Sequence, residues 1–176
     1  MHKKAIACII LNMKKSVWAV RSILVLCILA TTGFIFSQSL KSRTESSSAS
    51  LGVTNVLLRL FGVAPDQMSE ARLETVEKVV RKIAHFAEYA LLGALWFWLV
   101  RSFQAGSTPL WVSPATCFLT ECADELIQLF SDGRASSFWD VLLDLSGAVC
   151  GALFAWLTVY IALKIQAKRV KRENKG

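Results

Sequence analysis

Apolar residues along the chain fall into four long blocks separated by polar stretches. Residues 17–36 are apolar almost throughout. At ~1.5 Å per residue such a block crosses a hydrocarbon core of ~30 Å as a helix. Residues 83–100 and 138–163 form two more such blocks. Residues 110–130 form the weakest, because its second half holds Glu121, Asp124, Glu125 and Gln128. Between the first two blocks lies the longest connection, residues 37–80. Its run Ser46–Ser50 is predicted to be flexible. Its stretch Leu51–Val63 is interrupted by Gly52, Asn55, Arg59 and Gly62, too short to span, and predicted to lie in the membrane interface. Ser69 is predicted to cap a helix carrying the i,i+4 pairs Glu74/Lys78 and Glu77/Arg81, which runs on into the second block.

The placement of charge orients these blocks. Lys3, Lys4, Lys14, Lys15 and Arg21 crowd one end, and Lys164, Lys168, Arg169, Lys171, Arg172 and Lys175 the other. Basic clusters beside apolar spans mark cytoplasmic flanks. Both termini are therefore expected inside, and the number of crossings must be even. That parity makes the third block a span. Trp96, Trp98 and Arg101 mark the inner end of the second span. The expected fold is an all-α integral membrane protein, a four-transmembrane-helix bundle. An extracytoplasmic loop or interfacial helix joins spans one and two. Residues 1–16 are read as a cytoplasmic basic N-terminus, 17–163 as the transmembrane domain and 164–176 as a cytoplasmic basic tail. The patch Ala5–Leu11 is too short to span. Met13-Lys14-Lys15 resembles a protein start, and the opening resembles a signal peptide. The block 17–36 is too long for that, with no small-residue cleavage site behind it, so it is read as an uncleaved helix with Arg21 snorkelling inward.

Composition agrees. The chain has 176 residues, 54% of them hydrophobic, and a mean hydropathy of +0.46, too apolar for an ordinary soluble domain. The net charge of +7 sits in the flanks, so no nucleic-acid partner is expected. Cys8, Cys27, Cys117, Cys122 and Cys150 show no CxxC or Cys/His spacing and read as small apolar filler.

The informative residues are the acids. Glu88, Glu121, Asp124, Glu125, Asp140 and Asp144 sit in or at the edges of spans, although a charge in hydrocarbon costs several kcal/mol. The expected topology brings all but Glu121, which reaches toward the middle, to the outer half of the bundle, with His85 and Gln128, and with Asp132 and Arg134 in the short loop above. Arg81, His85, Glu88 and Leu92 share one helical stripe. Glu121, Glu125 and Gln128 share another, with Asp124 beside them. Asp140, Asp144, Gly147 and Gly151 follow i, i+4, i+7, i+11. Gly147-x-x-x-Gly151 lets a helix approach closely, so the acidic stripe is expected to face inward. Plainer roles stay open: Arg81 and Lys82 pairing with Glu77 and Glu88, Arg134 with Asp132 or Asp140, and Asp140 as a helix N-terminal acid.

These residues resemble the VanZ-like family of bacterial membrane proteins over about residues 17–160. The likeness rests on Arg81-Lys82-Ile83-Ala84-His85-Phe86-Ala87-Glu88-Tyr89 with Leu92-Gly93. It continues in Asp124-Glu125-x-x-Gln128-x-Phe130-x-x-x-Arg134, then Asp140-x-x-x-Asp144-x-x-Gly147. Phe36-Ser37-Gln38-Ser39 looks like the family's early motif. Asp144 stands where the family often has Asn. The resemblance implies a bacterial plasma membrane protein of the cell envelope, in a family named for teicoplanin resistance.

Three readings of the site follow. In the first, it faces outward and binds a lipid-linked or glycolipid envelope component among membrane lipids, with Arg81, Lys82, Gln128, Arg134, Asp140 and Asp144 as ligand contacts. In the second, it is a membrane enzyme on a phosphate-containing lipid. There His85, Glu88, Asp124 and Glu125 are catalytic, a divalent cation is the candidate cofactor, and Arg134 holds the phosphate. In the third, it is a proton- or cation-coupled carrier.

Overall fold

A computed structural model describes residues 2–104, 108–130 and 138–173. Among them the chain forms helices without strands: α1 (His2–Ser39), α2 (Arg43–Leu60), α3 (Glu70–Phe103), α4 (Val112–Leu129) and α5 (Phe138–Glu173). A single 3-10 turn, Pro65–Gln67, precedes α3.

Two helices run on past the expected spans, and one connection departs from expectation. The N-terminal residues continue α1 as helix from His2 rather than preceding it. The basic tail likewise prolongs α5 to Glu173. Its Lys, Arg, Ala and Gln residues are good helix formers, and late cations suit the helix dipole. The serine run, expected to be flexible, lies inside α2. A capping box starts that helix: Ser42 Oγ accepts from the Glu45 amide at 3.3 Å, and Glu45 Oε2 accepts from the Ser42 amide at 3.0 Å. The serine hydroxyls then donate to backbone one turn back, Ser48 to Glu45 O at 2.9 Å and Ser50 to Ser46 O at 2.8 Å. Turned onto the helix's own carbonyls, they no longer compete with it. α2 stops at Gly62, whose φ of 74° suits a residue without a Cβ. Gly62 and Val63 donate back to Arg59 and Leu58 at 3.0 and 2.9 Å, a Schellman closure. Ser69 does occupy the N-cap of α3, but its side chain makes no capping bond. The pairs on α3 form as expected, Glu74–Lys78 at 2.8 Å and Glu77–Arg81 at 3.4 Å.

Residues Ser16–Ser39 of α1, with α3 and α5, are long and apolar enough to cross a membrane. α4, with its three acids, is not among them.

The most extensive interface joins α3 to α5. Lys82 meets Asp140, the Phe86 carbonyl abuts Gly147, and the Ala90 carbonyl abuts Gly151. Both sequences advance together, so the two helices run parallel. Close approach follows from glycine. A Cβ on Gly93, Gly147 or Gly151 would collide with the partner's backbone, whereas one on Gly33 of α1 would meet nothing within 4 Å. Ala148, Ala152 and Ala155 line the same seam, all buried.

α1 runs antiparallel to α3. At its midpoint Arg21 donates to the Ser102 carbonyl at 2.6 Å, and its guanidinium lies 3.9 Å from the Phe103 ring centre. Farther along, Ile28 and Ile35 join Tyr89, Leu92, Leu95 and Leu99 in one core. α4 is antiparallel to α3 as well. Ser113 donates to the Gly93 carbonyl, and Glu121 and Asp124, later in α4, face Tyr89 and Glu88, earlier in α3.

Candidate functional site

Helical spacing on α4 separates two faces. Ser113, Cys117, Glu121 and Asp124 are buried, at i, i+4, i+8 and i+11. Phe118, Leu119, Leu126 and Leu129 are exposed. The apolar residues therefore look out and the acids look in, the reverse of a soluble surface helix.

The inward face of α4 meets α3 and α5. Glu121 and Asp124 are each 1% exposed, and Asp144 is 4% exposed. These three carboxylates lie within range of one another's fields, and Asp144 also feels Glu88 and Asp140. His85 Nδ1 stands 3.6 Å from Glu88 Oε2. Gln128 Nε2 donates to Asp124 Oδ2 at 2.9 Å. Glu88, Glu121, Asp124, Glu125 and Asp144 each retain one buried carboxylate oxygen with no hydrogen-bond partner among the described residues. The fully buried Tyr89 faces Glu121, yet its hydroxyl also lacks a partner in bonding geometry. A buried unpaired polar group costs about 1–3 kcal/mol, and more when charged. The body of the protein is organised to carry several at once.

Of the residues expected in the site, the structure brings together His85, Glu88, Asp124, Glu125, Gln128 and Asp144. Asp140 lies at the rim, where Lys82 Nζ donates to its Oδ1 at 2.8 Å. Both side chains are about half exposed. Lys82 therefore pairs with Asp140 rather than Glu88. Arg81 turns to Glu77, whose other carboxylate oxygen accepts from Ser47 at 3.2 Å. Asp132, Arg134 and Ser136 lie outside the described residues. Of the expected inward stripe, Asp144, Gly147 and Gly151 are buried, whereas Asp140, one turn before them, is about half exposed.

Two members of the cluster are absent from the sequence-derived ligand and catalytic sets. Tyr89 lies one turn beyond His85 and adjoins Glu88, a signal available in the spacing. Glu121 stands eight residues beyond Ser113 on one stripe, but its partner Tyr89 belongs to another helix. Ser39, of the early motif, is fully buried. Equal helix rise from the Arg21–Ser102 bond brings it to about the level of His85. Among the described residues no three His, Cys, Asp or Glu side chains are placed to hold a metal ion.

Small-residue seams, outward apolar belts and an inward carboxylate cluster make a helix bundle built around a polar interior, with three helices among the described residues long and apolar enough to cross a membrane. The VanZ/LLP1 family profile matches residues 22–160, and the chain belongs to that family. Comparison with curated proteins and with solved structures found no match.

Proposed function

We propose that this VanZ-like envelope protein crosses the bacterial plasma membrane four times with both termini in the cytoplasm. Its carboxylate cluster opens toward the outer leaflet and binds the polar head of a lipid-linked or glycolipid envelope component. Two observations support four crossings. Parallel α3 and α5 require the chain to return between them, and α4 is antiparallel to α3 with an apolar outward face. Labelling of single cysteines on a cysteine-free background tests this. Ser48 and Ser136 should react from outside intact cells, and Thr108 only after permeabilisation. Matching behaviour of Thr108 and Ser136 would remove the fourth crossing.

The observation that carries the binding reading is the set of acceptor oxygens without donors, delivered by three helices to one level. Such a surface suits a head rich in donors, as sugar hydroxyls or amines are. It disfavours bare phosphate, which brings only acceptors and negative charge. Mass spectrometry of lipids retained by the gently purified protein tests the reading. A glycosylated or amine-bearing lipid, lost in Glu121→Gln, is the expected result. Equal lipid content in the two proteins would overturn it. The family's link to teicoplanin is tested by expressing the chain in a sensitive host and measuring the inhibitory concentration.

A further inference from the structure

The exposed face of α2 has the wrong polarity for water. The side toward the body carries Ser46, Ser47, Ser50, Leu51, Thr54, Asn55 and Leu58, all buried or half-buried. Five of these seven are polar, and Thr54 is fully buried. The opposite side of the helix's second half, with the residue after it, carries Val53, Val56, Leu57, Leu60 and Phe61, spaced i, i+3, i+4, i+7, i+8. All five are exposed, Leu60 at 77% and Phe61 at 82%. That is a complete apolar stripe of a helix, and it points away from the protein.

The level of α2 along α3 names what covers the stripe. α3 has 34 residues, or about 51 Å by helix rise, well beyond a hydrocarbon core of ~30 Å. Its final turns carry Trp96, Trp98 and Arg101, whereas residues from Glu70 to Lys82 are densely charged. The excess length therefore projects at the Glu70 end. α2 docks on that projecting part through the Ser47–Glu77 bond. Glu77 lies six positions before Ile83, about 9 Å farther out along the axis. Ile83 is itself exposed, as is Leu40 just after α1. The Ser47 end of α2 thus sits at headgroup depth, beside the apolar belts of two spanning helices, and the stripe follows from Val53 onward.

We propose that α2 is a lipid-surface-binding element: its polar side rests on the body, and Val53, Val56, Leu57, Leu60 and Phe61 enter the acyl region of the leaflet at which α3 begins. An interfacial helix of this kind buries its apolar face ~5–10 Å into the headgroup–acyl boundary. Leu60 and Phe61, next to the Gly62 turn, form the deepest wedge. The lipid acyl chains supply the apolar contact that the serine-rich inner face does not. This element lies apart from the carboxylate cluster, so its test stands or falls independently of the ligand.

Nitroxide labels placed singly at Leu57, Phe61 and Ser48, in cysteine-free protein in phospholipid vesicles, test it by collision with oxygen and with a water-soluble nickel complex. Labels at 57 and 61 should collide with oxygen more often than with nickel, and the label at 48 the reverse. Higher nickel than oxygen collision at 57 and 61 would place the stripe in water and overturn the proposal. Shielding from both reagents would overturn it in favour of cover by a second copy. The unlabelled double variant Leu60→Asn/Phe61→Asn gives a separate readout. In vesicles its α2 amides should exchange at least tenfold faster, with α3, α4 and α5 unchanged. Unaltered α2 exchange would count equally against the proposal.

Discussion

Helix α3 presents two seams that solve opposite problems. Toward α5 it offers Phe86, Ala90 and Gly93 to Gly147, Gly151 and Ala148 respectively, so backbone lies against backbone. Toward α4 it offers Glu88 and Tyr89 to Glu121 and Asp124, where buried polar atoms go unpaired. In lipid no hydrophobic force draws helices together, so the first seam supplies cohesion through van der Waals contact. The second forgoes cohesion for polarity. The pairing suggests that one face of α3 holds the bundle while the other keeps a costly site in place.

The strongest way to break the contrast is to add bulk to the tight seam. Gly151→Leu drives a side chain into the Ala90 carbonyl and is expected to cost ~3 kcal/mol or more, with little folded protein recovered. Gly33→Leu, where the added atoms meet open space, should stay within about 0.5 kcal/mol. Thermal melting in detergent checks both.

The polar seam should respond in the opposite sense. Glu121→Gln removes a buried carboxylate of nearly the same shape, and is expected to leave stability unchanged or raise it by about 1 kcal/mol while retained lipid falls. Lowered stability with lipid retained would make Glu121 a structural clasp.

Smaller effects sharpen the boundaries of the two seams. Ser113→Ala removes the donor to the Gly93 carbonyl and should cost about 0.6 kcal/mol, a usual value for an interhelical bond in a bilayer. Lys82→Ala breaks the half-exposed pair with Asp140 and should cost no more than about 0.5 kcal/mol, vanishing in high salt. The smallest lies in α2. The Ser42 backbone and hydroxyl bonds hold the Glu45 carboxyl below its ordinary value. The capping box is therefore intact above the ordinary glutamate range and is lost as pH falls through the lowered value. Amide exchange of residues 43–48 should quicken only there.

The three long apolar helices, the buried Asp144, Gly147 and Gly151 of α5 and the glycine contact were legible because each is written in one helix at a 3.6-residue period. The parity of basic flanks called for a span at α4; a helix does form there, but it is not among those long and apolar enough to cross a membrane. What escaped the sequence depends on two helices at once. Tyr89 opposite Glu121 and Lys82 on Asp140 are set by the crossing of separate elements. The serine run misled because serine's local bonds favour turns and helix starts alike, and only the Ser42–Glu45 box decides between them. The outward stripe of α2 was visible as an apolar segment, but which way it faced depended on packing against α3.

The parallel run of α3 and α5 also orders the assembly of the chain in time. The partner for the Ala90–Gly93 face leaves the ribosome only after α4 has already emerged. At ~5–20 residues per second of synthesis, that face waits several seconds against lipid alone. Meanwhile Arg21 can engage Ser102 as soon as α3 is in place. The nascent chain is therefore held first at the Arg21 end, and the tight seam closes after it, so a chain stopped before Phe138 should accumulate as an intermediate of α1 to α4 open to quality-control proteases.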